Sequence, residues 1–226
     1  MGKRTPAKVS VLPVRLYQRL RPIFCPFDKL LEHVPTGASV LDVGCGNGVF
    51  LVMLAESGRI RAGYGVDRSR DAIRNAQRTA NEKTGLGLLH FQTVDSLAEV
   101  PNLGFDVVSM VDVVHHIPKP EQLKFFVEAA NKLRPGGTLI YKDISAKHKL
   151  WGLCNTLHDL AKARQFVHYV SEEQLMSAAI EAGLERIASL YVRRLCYMHF
   201  IQILHKPTLS ASATHTACKF SCSEAS

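Results

Sequence analysis

Apolar and polar positions along the 226-residue chain fall into two textures: short, nearly continuous apolar runs, and longer stretches whose apolar residues return at helical spacing. The runs are Ser39 to Val43, Ala62 to Val66, Leu88 to Thr93, Phe105 to Val111 and Thr138 to Lys142. The helical stretches lie near Gly48 to Ser57, Ser69 to Lys83 and Pro120 to Leu133. In the second, Ala72, Ile73, Ala76 and Ala80 form one stripe, with Ser69 at the N-cap and Asp71 in the first turn. An acceptor side chain and a negative charge both suit the exposed N–H groups there. In the third, Leu123, Phe126, Val127, Ala130 and Leu133 share a face. Apolar strands alternating with amphipathic helices predict a parallel sheet covered on both sides, a doubly wound Rossmann-like α/β sandwich.

The flanks differ. Val11 to Val34 has helical spacing but is broken by Pro13, Pro22 and Pro26. Ser145 to Tyr169 interrupts the alternation, and Leu150, Leu153, Leu157, Leu160 and Ala161 predict an amphipathic helix inside it. Ser171 with Gln174 three residues on has the form of a capping box. Glu185 to Tyr191 and Met198 to Leu204 predict a closing hairpin, and from Pro207 onward Ser, Thr and Ala dominate without periodicity, the composition of a disordered tail. The expected organisation is a helical cap over residues 1–36, a main domain over 37–206 with a helical insertion at about 145–170, and a tail over 207–226.

Composition narrows the class. Hydrophobic types make up 46% and charged types 21%, enough for one domain with a substantial core. The net charge of +8 permits acidic partners, but the basic residues are spread along the chain. The six cysteines include no C-x-x-C pair, which points to reduced thiols in a cytoplasmic protein. No apolar run is long enough to span a bilayer, and Arg15 interrupts any signal-like core near the amino terminus. No clustered set of ligands suggests a metal, and nothing specifies an oligomeric state.

The chemistry concentrates in Val40-Leu41-Asp42-Val43-Gly44-Cys45-Gly46-Asn47-Gly48. A strand that turns at once into a helix is expected to leave free N–H groups at the sheet's carboxyl edge. Asp67, closing the next strand, suits the two hydroxyls of a ribose. The glycine spacing differs from the dinucleotide fingerprint G-x-G-x-x-G, and Asp42 would sit badly beside a pyrophosphate but well beside an ammonium or sulfonium.

With these residues the chain resembles the class I S-adenosylmethionine-dependent methyltransferases, whose first motif is similar to Leu41 to Gly48. The resemblance continues through Asp95-Ser96, Phe105 to Pro118 and Arg134-Pro135-Gly136-Gly137. It implies a seven-stranded, mostly parallel sheet with an antiparallel last strand. It also implies S-adenosyl-L-methionine as cofactor, held by Asp42, Gly44, Cys45, Gly46, Gly48, Asp67, Arg68, Asp95, Ser96 and Val111. Asp95-Ser96 stands where the family holds adenine, although a turn capping the next segment is an alternative reading. Tyr17, Arg19 and Arg21 are candidates to reach the cofactor's carboxylate or the substrate.

Methyl transfer needs alignment and exclusion of water, and a base only where the acceptor must lose a proton. His115 is the candidate base. Tyr17, His116, Lys142, His158 and Tyr169 are pocket candidates, with surface pairing to Asp143 or Glu172 as the alternative for Lys142. After strand four the chain reads Asp112-Val113-Val114-His115, not the Asn/Asp-Pro-Pro-aromatic motif of enzymes acting on base amines or glutamine. No basic stretch is interleaved with aromatics. The expected function is therefore transfer to a small-molecule acceptor, an oxygen of a hydroxylated, aromatic or acyl-type metabolite. An RNA or protein methyltransferase, and a non-catalytic binder of the nucleoside, stand as alternatives.

Overall fold

The computed structural model describes residues 21, 23–83, 87–145, 168–195 and 197–208. Within them the elements run α1 (Phe27–Leu31), β1 (Ala38–Val43), α2 (Val49–Glu56), β2 (Ile60–Asp67), α3 (Arg70–Lys83), β3 (Leu89–Thr93), β4 (Phe105–Val111), α4 (Gln122–Ala130), β5 (Leu133–Ile144), α5 (Glu172–Glu181), β6 (Glu185–Arg194) and β7 (Tyr197–His205). The expected helix at Leu150 to Ala161, the tail beyond Thr208, Tyr17 and His158 lie outside the described residues.

Seven strands form one sheet in the order β3-β2-β1-β4-β5-β7-β6. All neighbours are parallel except that β7 runs antiparallel to both β5 and β6. The order reverses between β1 and β4, so their carboxyl ends open a crevice at a topological switch point. Strand alternation divides the core. Val40, Val107, Ile140 and Ile201 pack toward α1, α2 and α3 with Leu30, Phe50, Leu51 and Ile73. Leu41, Val108, Tyr141 and Phe200 pack toward α4 and α5 with Phe126 and Leu175. Both capping predictions hold: Ser69 Oγ accepts from Ala72 N–H at 3.2 Å, and Ser171 with Gln174 forms a capping box.

Two boundaries are corrected. The third helical stretch ends at Ala130, not Leu133, and β5 begins at Leu133, not Thr138. Arg134-Pro135-Gly136-Gly137 is therefore part of the strand and not a turn before it. The reason is a partner the local sequence does not show: Gly136 N–H donates to Lys206 O at 2.7 Å and Lys206 N–H donates to Gly137 O at 2.9 Å. Lys206, just after β7, holds this Pro-Gly-Gly stretch extended.

Asp106 ties three strands at the opposite, amino-terminal edge. Its Oδ2 accepts from Ser39 N–H (2.7 Å) and Ser39 Oγ–H (2.8 Å), and its Oδ1 from Arg134 Nε–H (2.5 Å). Arg61 adds an ion pair at 3.1 Å. Burial alone would raise this carboxyl, but the Ser39 and Arg134 bonds outweigh it and bring it down to about 2. Asp106→Ala is expected to lower the urea midpoint by the equivalent of about 2–3 kcal/mol with an unchanged slope. Because the folded pKa is depressed, that stability exists above the ordinary carboxylate range and disappears as pH falls toward about 2. The gap between wild type and variant in urea titrations should close over that window.

Candidate active site

The turn after β1 is shaped by close approach. A Cβ on Gly44 would stand 2.2 Å from Val113 Cγ2, so no larger residue fits where the turns following β1 and β4 touch. Gly46 is different: its φ is +53°, and a Cβ there would meet only Arg21 Nη1 at 3.8 Å. Gly44 is demanded by packing, whereas Gly46 leaves backbone open toward a cleft. That cleft is lined by Arg21, Phe27, Asp42, Gly44, Cys45, Val49, Phe50 and Val111.

Within the glycine run most N–H groups are taken. Gly44 and Cys45 N–H both donate to Val66 O (2.8 and 3.0 Å), Gly48 N–H donates to Cys45 O (2.9 Å), and Gly46 N–H donates to Asp67 Oδ2 (2.9 Å). β2 lies alongside and supplies the acceptor in three of these bonds. α2 follows at once and starts without a side-chain cap, so the N–H groups expected at the sheet's carboxyl edge are those of its first turn.

Asp42 is 3% exposed and accepts from Ser109 Oγ–H at 2.7 Å. Burial raises its pKa to about 7, the Ser109 bond and Arg21 offsetting only part of the shift while Asp67 adds to it. Asp67 closes β2, accepting from Gly46 and, through Oδ1, from Ser69 N–H at 2.8 Å. Arg68 beside it is exposed. Asp95 and Ser96 are also exposed, and both of their N–H groups donate to Glu99 Oε1 at 2.9 Å. Ser96 caps the short helical turn Leu97–Glu99 in a capping box. The capping reading of this pair is thus realised, and Glu99 is a participant that the Ser-x-x-Glu spacing could have revealed.

On the other side of the cleft, Asp112 follows β4 in a left-handed conformation, φ +55°. It accepts from Lys142 Nζ–H at 2.5 Å and pairs with Arg21 at 3.6 Å. Burial would push its carboxyl up, but Lys142 and Arg21 prevail and hold it near 2. Lys142 is therefore no surface residue. It is 1% exposed, and its partner is neither Asp143 nor Glu172. Glu172 instead accepts from Arg186 and Tyr191.

His115 lies in the short turn Val114–His116 that follows, 5% exposed. Its Nδ1 is 2.6 Å from Asp143 Oδ1. Asp143 is itself 2% exposed, its Oδ1 also accepts from Ile144 N–H at 2.8 Å, and its Oδ2 accepts from Tyr141 Oη–H at 3.3 Å. A carboxylate on Nδ1 fixes the proton there and leaves Nε2 the basic nitrogen. Tyr169 and His116 flank the imidazole, with ring centroids at 5.3 and 4.1 Å, and His116 is exposed. The structure thus gathers Asp42, Gly44, Cys45 and Val111 around one cleft, places Asp67 at its rim, and sets His115, His116 and Tyr169 together beyond β4. Sequence reasoning missed Asp143 and Asp112 as partners, although both sit at strand ends on the carboxyl edge. Among the described residues no group of three or more His, Cys, Asp or Glu side chains is placed to hold a metal ion, and no helix is long and apolar enough to cross a membrane.

Comparison with known proteins agrees with this geometry. Residues 16–189 match the family model described as a methyltransferase domain. The chain is 30% identical over 159 residues to a ubiquinone biosynthesis O-methyltransferase of Idiomarina loihiensis, covering 67% of this chain and 63% of that protein. It is 31% identical over 116 residues to the Sodalis glossinidius protein of the same name, covering 51% and 45%. The matched stretches thus span less than two thirds of these relatives' own lengths. Among solved structures, magnesium protoporphyrin IX methyltransferase of Synechocystis PCC 6803 with bound SAH superposes with a TM-score of 0.67 at 22% identity, covering 88% and 90% of the two chains. The cyclase SpnF does so at 0.63 and 18% identity, covering 86% and 94%. The fold alone therefore does not fix the reaction.

The raised pKa of Asp42 has a measurable sign. Its carboxyl holds a proton in the folded state that the unfolded state has released, so stability is greatest in acid and falls as pH rises through about 7. Relative to Asp42→Asn, which removes the titration, the wild type should lose about 2–3 kcal/mol between about pH 5 and pH 8 in urea titrations. Parallel curves for the two proteins would contradict the burial-driven shift.

Proposed function

The chain belongs to the methyltransferase-domain family, and we propose that it carries a methyl group from S-adenosyl-L-methionine to a small-molecule acceptor, an oxygen of a hydroxylated, aromatic or acyl-type metabolite. The observation that carries this reading is the buried His115–Asp143 pair at the carboxyl edge, beside a cleft lined by Asp42, Arg21 and apolar side chains. The O-methyltransferase names of the relatives support an oxygen acceptor. The reduced, buried Cys25 and Cys45 suit a cytoplasmic setting.

The residues present fit the cofactor. Gly46 leaves room for close approach, and Asp42 lies in the cleft as a carboxyl that a cationic ligand would ionise. Asp67 would take the ribose hydroxyls and Asp95 the adenine amino group, while Arg21 offers the cofactor carboxylate a charged partner. When bound, S-adenosylmethionine supplies a methyl group on a positively charged sulfur, open to in-line displacement. The protein's own work is alignment and proton handling. Asp143 holds the His115 Nδ1 proton, Tyr141 steadies Asp143, and His115 Nε2 takes the acceptor hydroxyl's proton as the oxygen becomes the nucleophile. Tyr169 and His116 shape the acceptor's approach.

The test is methyl transfer from isotope-labelled cofactor to a panel of hydroxylated aromatic and aliphatic acceptors, read by mass spectrometry. Labelled product is expected with small acceptors and not with RNA or protein. Cofactor binding without product from any acceptor would sink the catalytic reading. His115→Ala is expected to lower kcat by about 10²–10⁴-fold. Unchanged turnover in that variant across neutral and alkaline pH would remove His115 as the base. In calorimetry with S-adenosylhomocysteine, Asp67→Ala should weaken binding by about 1–3 kcal/mol.

A further inference from the structure

Gln122, the first residue of α4, is 3% exposed and has no part in the chemistry above. Its Nε2 donates toward three backbone carbonyls, those of Val114 at 3.1 Å, Ile117 at 3.2 Å and His168 at 2.6 Å. An amide nitrogen has two N–H bonds, so one is shared between carbonyls. The three acceptors come from two places. Val114 and Ile117 bracket the turn that carries His115, a turn without a side-chain cap at its start. His168 begins the stretch that leads to α5, and its N–H donates back to His115 O at 3.4 Å. The next residue, Tyr169, places its ring 5.3 Å from that of His115. One buried amide therefore fastens the loop of the histidine to the segment that flanks it.

The amide adds to the backbone bond from His168 to His115 and to the Tyr169–His115 ring contact, which join the same two stretches. Val114 and Ile117 point their carbonyls inward, where an unmet acceptor costs about 1–3 kcal/mol. A fully satisfied buried polar group selects one arrangement over its neighbours. The arrangement selected here sets His115 Nδ1 2.6 Å from Asp143 and so fixes the direction of the opposite ring nitrogen.

We propose that Gln122 is a positioning residue for His115: by donating to the backbone on both sides of the histidine and to His168, it keeps the imidazole in register with Asp143 and holds Tyr169 against it. The proposal deepens, and rests on, the reading of His115 as the base.

The test is proton NMR of the full chain. A histidine Nδ1 proton in a short bond to a buried carboxylate resonates far downfield and exchanges slowly with water, and its loss in His115→Ala assigns it. In Gln122→Met, of similar length but without a donor, the resonance should move or broaden away while calorimetric affinity for S-adenosylhomocysteine stays that of the wild type. A sharp, unshifted resonance in Gln122→Met overturns the proposal, as does its absence from the wild type. If Gln122→Met does not fold, Gln122→Asn, whose amide is withdrawn by a methylene, is read by the same criteria. Methyl transfer plays no part in this spectrum. A resonance that depends on Gln122 in a protein without transferase activity would sink the catalytic reading and leave the positioning role standing.

Discussion

The contact on which the site depends is the meeting of Gly44 with Val113. These residues leave neighbouring strands, and a Cβ on Gly44 would fall 2.2 Å from Val113 Cγ2. The absence of that one atom lets the turn after β1 settle against the turn after β4, where the strand order reverses. Two sets of side chains are thereby brought to one edge: Asp42 and Asp67 from the first turn's side, Asp112 and His115 from the second. The approach forces Asp112 to φ +55°, a conformation that costs a residue other than glycine about 1–3 kcal/mol. Lys142 offsets it twice, by its ammonium on the Asp112 carboxylate and by its carbonyl, which accepts from Asp112 N–H at 2.9 Å.

Asp42 and Asp112 show how environment divides identical side chains. Both lie at the carboxyl edge and both lose water. Asp42 has only the Ser109 hydroxyl as a close partner, so burial wins and its pKa rises to about 7. Asp112 has two cations, so attraction wins and its pKa falls to about 2. One carboxyl is held ready to be ionised by a cationic ligand, and the other is a permanent anion that anchors Lys142 and Arg21. Neither role is a property of aspartate. Each follows from which neighbours share its burial.

Local signals in the sequence account for most of the frame. The glycine turn, the acid ending β2, the Ser171 cap and the alternation of strands and helices each depend on residues near one another, and each appears as expected. What failed was set by distant neighbours. β5 runs through Pro135-Gly136-Gly137 because Lys206, far along the chain, pairs with it. Surface pairing stayed open for Lys142, a pocket candidate, because nothing beside it in sequence shows that Ile201 and Cys25 lie on that face. The acceptor that takes Gly44 and Cys45 N–H, Val66 O, likewise belongs to the next strand. His115 could be nominated from its place after β4, but its partner Asp143 could not, since they meet only when β4 and β5 pair.

That pairing also explains how adjacent residues serve separate halves of the site. Along β5, Tyr141 and Asp143 point to the α4 side and Lys142 to the other, the ordinary period of a strand. Lys142 thus holds the loop beside the cleft, while Asp143, one residue on, holds the imidazole. A slip of β5 by one residue would turn each side chain to the other face, and in one direction it would set Lys142 where Asp143 now meets His115. Pairing with β4 constrains the strand only as far as Val111 opposite Lys142. Beyond that point β7 takes over, with Asp143 opposite Phe200 and Ile144 opposite His199. The last strand thus carries past the end of β4 the register that β4 has set, and keeps Asp143 on the side of the histidine.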